Sequence, residues 1–446
     1  MGASSTQAPE ALTADEAAPS TGRSFGSGAR ILSLGIAATG LFTFAYFAVA
    51  GHVLDDDAYG RVSLLWSLLF VIMCVIYRPV EQLLSRTIAD RRARGLTGGH
   101  PLRVPAMIQA AFAATFLVVA LALKGPIQDG LFDGESSLYW ILLGAATAYA
   151  ASYFARGYFA GHQWFGLYGG LVLFESLSRF CFPVAVAVGI ASGETAVALG
   201  ILAAPLASLL VIPWAIGRHE AVSAAAPDAP ERDRGEMRES AGFAGSVAAI
   251  QLSEQTLLNA AVLLVADSRQ AGIVFAALLI ARAPLQLFQA VQTSLLPHLA
   301  GLEATEGRAA FHRAIRQTVL AIWAFAGVVA LALLTIGPFV MEKVLDKSGY
   351  GRVGLAVLAV GMGLHLTAGT LNQAALARDR AHQAAGAWLA AAALFVVWMI
   401  VPIVDDELVR AEVGYAGAAG LLCLMLYGLY RASAPAAASP VSRMAS

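Results

Sequence analysis

The chain has 446 residues, of which 58% are hydrophobic and only 13% charged, and its mean hydropathy is +0.68. Soluble domains contain nearer ~45–50% apolar and ~25% charged residues, so this composition excludes a water-soluble enzyme. The net charge of −1 argues against a nucleic-acid-binding protein. The three cysteines lie in separate apolar runs, so no disulfide framework, metal site or bound cofactor is expected.

Apolar segments long enough to cross a bilayer recur along the whole chain. A transmembrane helix needs ~20 mostly apolar residues, and lipid cannot satisfy free backbone polar groups, so such segments must be helical. The sequence therefore predicts an all-α polytopic membrane protein with about twelve transmembrane helices. The predicted spans are 31–51, 60–79, 104–123, 138–156, 167–191, 195–217, 243–266, 271–296, 317–341, 353–377, 383–404 and 411–430.

The placement of lysine and arginine predicts the orientation of these spans. With the N-terminus inside, 19 basic residues fall in cytoplasmic segments and seven in outer segments. The outer loops carry twice as many acidic as basic residues. Because cytoplasmic loops are enriched in lysine and arginine, both termini are expected in the cytoplasm.

Polar stretches at the ends and in the middle predict the domain organisation. Residues 1–28 and 431–446 are rich in Ala, Ser, Pro and Gly, which predicts disordered cytoplasmic tails. Residues 218–240 form the longest inner loop and separate the sixth span from the seventh. We therefore expect two six-helix lobes, 29–217 and 241–430, joined by this linker. No outer loop is long enough to form a catalytic domain, so the chain is not expected to be an enzyme.

The two predicted lobes show signs of an internal repeat. Val53–Gly60 and Val265–Gly272 are both acidic turns closed by a glycine, and they lie 212 residues apart. At the same offset Gly157 aligns with Gly369. Two repeats of six spans have the same orientation in the membrane, as in secondary transporters that hold their substrate between two halves.

Two neighbouring spans carry stripes of polar side chains at helical spacing. A charged group near the bilayer centre costs at least ~2.5–3.5 kcal/mol, so it usually faces a cavity or a partner. These stripes either line a cavity or bond the helices together, and their charged members favour the cavity. They consist of Gln251, Glu254, Gln255 and Asn259 on the seventh span and of Arg282, Gln286, Gln289 and Thr293 on the eighth.

Other charged residues within the spans allow two interpretations each. Glu175 and Arg179 stand at i and i+4, which favours a self-neutralised structural pair over a cavity-facing arginine. Arg156 is either an interfacial anchor or a contact for an anionic group. Arg78 and Arg156 are candidates for an inner gate. For His365, a packed and hydrogen-bonded side chain is favoured over a role in proton relay.

A proline interrupts the eighth span. Pro284 follows Arg282 by two residues and removes a backbone hydrogen-bond donor. A bend near mid-membrane is therefore expected, either as a hinge or as a static kink.

Several stretches resemble one family. Leu54–Arg61, with its acidic turn and Tyr-Gly pair, resembles the corresponding turn of bacterial polysaccharide (oligosaccharide-lipid) flippases. Arg78–Arg86 and Arg156–Gly161 are similar to that family's stretches at the inner end of the second helix and between helices four and five. The resemblance implies membership of the multidrug/oligosaccharidyl-lipid/polysaccharide exporter superfamily. It further implies two lobes around a central cavity in the bacterial plasma membrane.

The same resemblance implies a cargo and roles for residues. The cargo would be a polyprenyl-diphosphate-linked oligosaccharide, moved from the inner to the outer leaflet by alternating access, among membrane lipids and possible glycan-assembly proteins. A planar guanidinium matches phosphate oxygens two at a time, so Arg282 is the first candidate for a headgroup contact. Glu254 would neutralise Arg282 in the empty carrier or couple transport to a proton or sodium ion.

Three alternatives remain open at this point. A major-facilitator-type carrier of a small solute is one, since Ala89–Gly95 faintly resembles that family's basic loop without its glycines. A multidrug exporter of the same superfamily would bind organic cations, which arginine on the eighth span disfavours. A non-transporting scaffold of a glycan-assembly complex would tolerate the loss of Arg282 and Glu254 together.

Overall fold

The computed structural model describes residues 21–93, 102–210, 234–265, 267–282, 308–348, 350–378 and 380–432. Within these ranges the regular secondary structure is entirely helical. The helices are α1 (Thr21–Val53), α2 (Asp56–Ile72), α3 (Arg78–Ala93), α4 (Arg103–Ala122), α5 (Lys124–Leu131), α6 (Ser136–Gly161), α7 (Phe165–Ala187), α8 (Gly193–Leu209), α9 (Arg234–Leu263), α10 (268–282), α11 (Arg308–Phe339), α12 (Arg352–Ala377), α13 (Ala381–Ile400) and α14 (Glu407–Ala432).

A described helix lies in each of the twelve predicted spans, and the all-α polytopic fold is confirmed. The ends of the sixth and eighth predicted spans lie outside the described residues. Helices α2 and α3 form one continuous span, and α5 is a short additional helix before α6. Among the described residues, eight helices are long and apolar enough to cross a membrane. The apolar helices Ala38–Val53 and Gly193–Leu209 are shorter.

Helix boundaries differ from the hydropathy boundaries at several places. Helix α1 begins at Thr21, inside the predicted tail, and α9 begins at Arg234, inside the predicted linker. Backbone hydrogen bonding continues past the point where side chains become polar, because hydropathy marks the edge of the bilayer rather than the end of a helix. The predicted hinge Pro284 and the stripe residues Gln286, Gln289 and Thr293 lie outside the described residues.

Each lobe is assembled from its own helices. In the first lobe α7 packs between α1 and α8, and α6 packs on α3 and α8. In the second lobe α12 packs between α11 and α14, while α9 packs on α13. The lobes meet where α2 contacts α9, and the rings of Phe47 and Phe275 lie 4.4 Å apart between their centroids.

A π-helical turn interrupts the second span. It covers Met73–Tyr77, and the Arg78 N–H donates to the Met73 carbonyl, five residues back. The next residue, Pro79, has no N–H to continue the ordinary ladder. A π turn adds one residue to a helical turn and so changes the direction of the side chains that follow, beginning with Arg78.

The glycines that close the two repeated turns meet each other. A Cβ built on Gly272 would lie 3.1 Å from the Gly60 Cα, and a Cβ on Gly60 would lie 1.8 Å from the Ser268 carbonyl oxygen. Only glycine lets the two backbones approach this closely. The 212-residue offset in the sequence therefore corresponds to a contact between equivalent turns of the two lobes, at the end of the bundle predicted to lie outside. We call this end the outer end.

Candidate functional site

A cavity of about 190 Å³ lies between the two lobes. Helices α1, α2, α6 and α7 of the first lobe and α9 and α10 of the second contribute to its wall. Four arginines and one glutamate give the wall an excess of positive charge. The charged lining residues are Arg78, Arg156, Glu175, Arg179 and Arg282, and the principal aromatic lining residues are Trp66, Phe70, Tyr149, Tyr153 and Phe275.

Glu175 is held by three donors, and its partner is not the arginine that sequence spacing predicts. It forms an ion pair with Arg156 of α6 and accepts hydrogen bonds from Ser152 and Ser208. No ion pair joins Glu175 and Arg179 in the described structure, so the predicted pair within α7 is wrong. The side chain of Glu175 contacts α6 and α8, where one guanidinium and two hydroxyl groups satisfy its charge better than a single i,i+4 contact would.

Arg179 is buried, with 3% exposure, and has no carboxylate within ion-pair distance among the described residues. Its Nη2 donates to the Thr43 hydroxyl at 3.0 Å, and its guanidinium lies 4.2 Å from the centre of the Trp66 ring. Its Nε is buried and has no hydrogen-bond partner among the described residues. The aromatic face partly compensates the charge of the guanidinium.

Arg282 stands on the opposite wall of the cavity, in the second lobe. Its Nη1 donates to the Asn259 side-chain oxygen at 3.3 Å, while its Nε and Nη2 have no hydrogen-bond partner among the residues that the structure describes. Arg179 and Arg282 are therefore two cavity-lining arginines, one on each lobe, whose charge no described acidic side chain balances at close range.

Arg156 and Arg78 both line the cavity between the lobes, and Arg156 is buried while Arg78 is half-buried. Arg156 is only 9% exposed, stacks over the Tyr153 ring at 4.4 Å and pairs with Glu175. The anchor interpretation of Arg156 is thus wrong, because an anchor would place its guanidinium among lipid headgroups. Arg78 lines the same cavity, directly after the π turn. The inner-gate role predicted for both residues remains a prediction.

Glu254 belongs to a separate polar group inside the second lobe. Its Oε1 lies 3.7 Å from the His365 Nε2, and its Oε2 accepts from Gln251 at 3.2 Å. His365 is 2% exposed and packs against the rings of Trp388 and Tyr415. Glu254 does not pair with Arg282 in this structure, so the predicted neutralisation of Arg282 is not observed.

The site contains residues that the sequence patterns do not single out. Trp66 and Thr43 hold Arg179, and Ser208 helps to hold Glu175. Each is one unremarkable residue in a long apolar span, so only the packing of α1, α2 and α8 against α7 shows its role. Within the described residues no group of three His, Cys, Asp or Glu side chains is placed to hold a metal ion.

Comparison with solved structures defines the class of fold. No protein-family model matches the sequence, and no curated protein matches it. An inward-facing multidrug resistance MATE family transporter of the MOP superfamily has a TM-score of 0.71 at 12% identity, over 90% of this chain and 97% of its own. At such identities the likeness shows the fold alone, and the chain has the two-lobed fold of MATE transporters.

Two further structures are similar. A mutant form of the MATE transporter VcmN from Vibrio cholerae gives a TM-score of 0.59 at 16% identity, with 92% of this chain and 99% of that chain covered. A MOP superfamily transporter from Pyrococcus furiosus gives 0.61 at 14% identity, with 92% and 96% covered. For the latter protein, a reversed polarity of the binding pocket is described as suggesting a different function.

Proposed function

We propose that this protein is an alternating-access transporter that moves a polyprenyl-diphosphate-linked oligosaccharide from the inner to the outer leaflet of a bacterial plasma membrane. The observation that carries the proposal is the excess of arginine on the cavity wall. Arg179 and Arg282 face the same space from opposite lobes, and no carboxylate of the described residues lies within ion-pair distance of either. A cargo with an anionic headgroup would supply the missing charge.

Diphosphate suits this arrangement better than a single carboxylate does. A buried charge without a partner is costly, and a guanidinium recovers most of that cost from a bidentate phosphate contact. Two linked phosphates offer one such contact to each lobe. The aromatic residues Tyr149, Tyr153 and Trp66 of the same wall provide apolar faces for the sugar rings that follow the diphosphate.

We propose that residues of the second lobe couple transport to a gradient of protons or sodium ions. Buried His365 and half-buried Glu254 form an acid–base pair, with 3.7 Å between the His365 Nε2 and the carboxylate. Neither ring nitrogen of His365 has a hydrogen bond to a described residue. Such a pair can take up a proton, and the carboxylate together with Gln251 can contact a sodium ion.

We place both termini in the cytoplasm on the distribution of arginine and lysine.

A flipping assay in proteoliposomes tests the proposal. A fluorescent polyprenyl-diphosphate-linked sugar is reconstituted with the protein, and its transfer between leaflets is measured by quenching of the outer leaflet. Each guanidinium contributes about 1.5–3 kcal/mol in charge-assisted hydrogen bonds, so Arg179→Gln and Arg282→Gln should each weaken headgroup affinity by roughly 10- to 150-fold. Arg352→Gln, which changes an exposed arginine outside the cavity, is the control.

Unchanged flipping in Arg282→Gln and in Arg179→Gln would remove both arginines from the mechanism. Normal function of a variant lacking both Arg282 and Glu254 would instead favour a scaffold that does not transport.

A multidrug exporter is the second candidate, because the similar solved structures include a multidrug resistance transporter. The same proteoliposomes distinguish the flippase function from the multidrug-export function. An organic cation meets four arginines on the cavity wall, so its export is expected to be slow in the native protein and faster in Arg282→Gln. Export of an organic cation by the native protein, without flipping of the diphosphate lipid, would establish the multidrug function.

A further inference from the structure

The outer end of the molecule is closed by two contacts that the internal repeat relates to each other. The Ser268 hydroxyl of the second lobe donates to the Asp133 carboxylate of the first at 2.8 Å. The Lys347 ammonium of the second lobe donates to the Asp56 carboxylate of the first, also at 2.8 Å. Asp56 aligns with Ser268 at the 212-residue offset, and Asp133 aligns with Leu345, two residues before Lys347. The two contacts therefore join nearly equivalent positions of the two lobes.

The two contacts differ in charge. One joins a hydroxyl group to an exposed carboxylate. The other joins a carboxylate to a lysine whose side chain is only 2% exposed and whose ammonium lies 4.3 Å from the centre of the Tyr59 ring. The second oxygen of Asp56 accepts from Arg269 at 3.1 Å, so Asp56 of the first lobe lies between two cations of the second. The burial of Lys347 therefore depends on the first lobe being in place.

We propose that Asp56 and Lys347 form the latch that holds the two lobes together at the outer end, and that the related Asp133–Ser268 contact only aligns them. When the lobes close, Lys347 loses water and gains the Asp56 carboxylate and the Tyr59 ring. When they separate, water replaces both partners. A closed state without the Asp56 charge would contain a buried, uncompensated ammonium, which is strongly unfavourable. The latch thus sets the balance between the closed and the separated outer end.

The proposal rests on the alternating access of the proposed function but not on its cargo. The test measures the distance between spin labels in nanodiscs with no cargo present. The labels are placed by Ile190→Cys and Ile403→Cys, in exposed outer-end turns of the first and second lobe, after replacement of the three native cysteines by alanine. Failure of the flipping assay would leave this measurement interpretable, since it reports the lobes directly.

Asp56→Asn should shift the label distances to longer values and raise the ratio of separated to closed molecules at least about tenfold. Adding Lys347→Met to Asp56→Asn should restore a large part of the closed population, because it removes the uncompensated ammonium. Lys343→Met in the same background is the matched control, since Lys343 is exposed and its one ion pair with a described residue is to its neighbour Glu342. Unchanged distances in Asp56→Asn, or equal recovery with Lys343→Met, would overturn the proposal.

Discussion

The partner of Glu175 can be identified by a double-mutant cycle, because the structure and the sequence spacing name different arginines. In the structure Glu175 pairs with Arg156 across the α6–α7 interface, whereas Arg179 holds Thr43 and Trp66. The cycle uses Glu175→Gln, Arg156→Gln, Arg179→Gln and the two double variants. It measures the coupling of Glu175 to each arginine separately.

The expected size of each coupling follows from burial and geometry. Removing one partner of a buried ion pair costs about 3–5 kcal/mol in a dry interior, and the cavity beside Glu175 reduces this to about 2–3 kcal/mol. At roughly 2–4 °C per kcal/mol for a lobe of this size, Glu175→Gln should lower the melting temperature by about 4–12 °C. The coupling to Arg156 should be most of that effect. The coupling to Arg179 should stay below about 0.5 kcal/mol, because Glu175 and Arg179 bond to different partners and effects at residues that do not interact are nearly additive.

The measurement is thermal unfolding of the purified protein in detergent, followed by tryptophan fluorescence. Glu342→Gln serves as the control, because Glu342 is exposed and contacts only Lys343, so no shift is expected. A large coupling of Glu175 to Arg179 together with a small one to Arg156 would refute the arrangement described here. That result would instead support the Glu175–Arg179 ion pair within α7 that the sequence predicts.

Three further outcomes are expected. Gly60→Ala should separate the lobes at the outer end, because its Cβ would lie 1.8 Å from the Ser268 carbonyl oxygen; the outer spin-label distance measures this, and Gly125→Ala, with nothing nearby, should leave it unchanged. Gln109→Leu should leave the melting temperature nearly unchanged. The substitution loses the hydrogen bond to the Ala150 carbonyl but also removes a buried side-chain oxygen that has no partner among the described residues, and the two effects nearly cancel. A marked fall in the melting temperature would contradict this reasoning. His365→Phe should preserve folding but abolish any dependence of flipping on a proton gradient, and gradient-driven flipping in that variant would remove His365 from the coupling.

The sequence predicts the helices of this fold well because lipid imposes one strong rule on the backbone. Every apolar stretch of sufficient length becomes a helix, and the spans around α6 and α12 begin and end close to their predicted limits. The ends of α1 and α9 are predicted less well, because hydropathy does not report helix that continues into water. Hydropathy does not predict the π turn at Met73–Tyr77 either, although Pro79 is a local cause of it.

The candidate site is predictable in composition and only partly in geometry. A charged residue within a span must find a polar place, so Glu175, Arg179 and Arg282 could be selected from sequence alone. Their partners depend on how helices face one another, which periodicity within one helix does not contain. Helical spacing therefore predicts Arg179 as the partner of Glu175 and leaves Arg282 as one of two roles for Glu254, whereas the structure joins Glu175 to Arg156 and places Glu254 beside His365.

The size of the central cavity has a consequence for loading. About 190 Å³ is below the roughly 300–1,000 Å³ that pockets for drug-sized molecules provide. An oligosaccharide headgroup therefore does not fit while the walls stand at their present separation, and admitting it requires α9 and α10 to move away from α6 and α7. Because Arg179 and Arg282 belong to opposite walls, widening the cavity also increases the distance between the two guanidinium groups. An occupant that reaches both must be elongated, with negative charge at more than one point along its length.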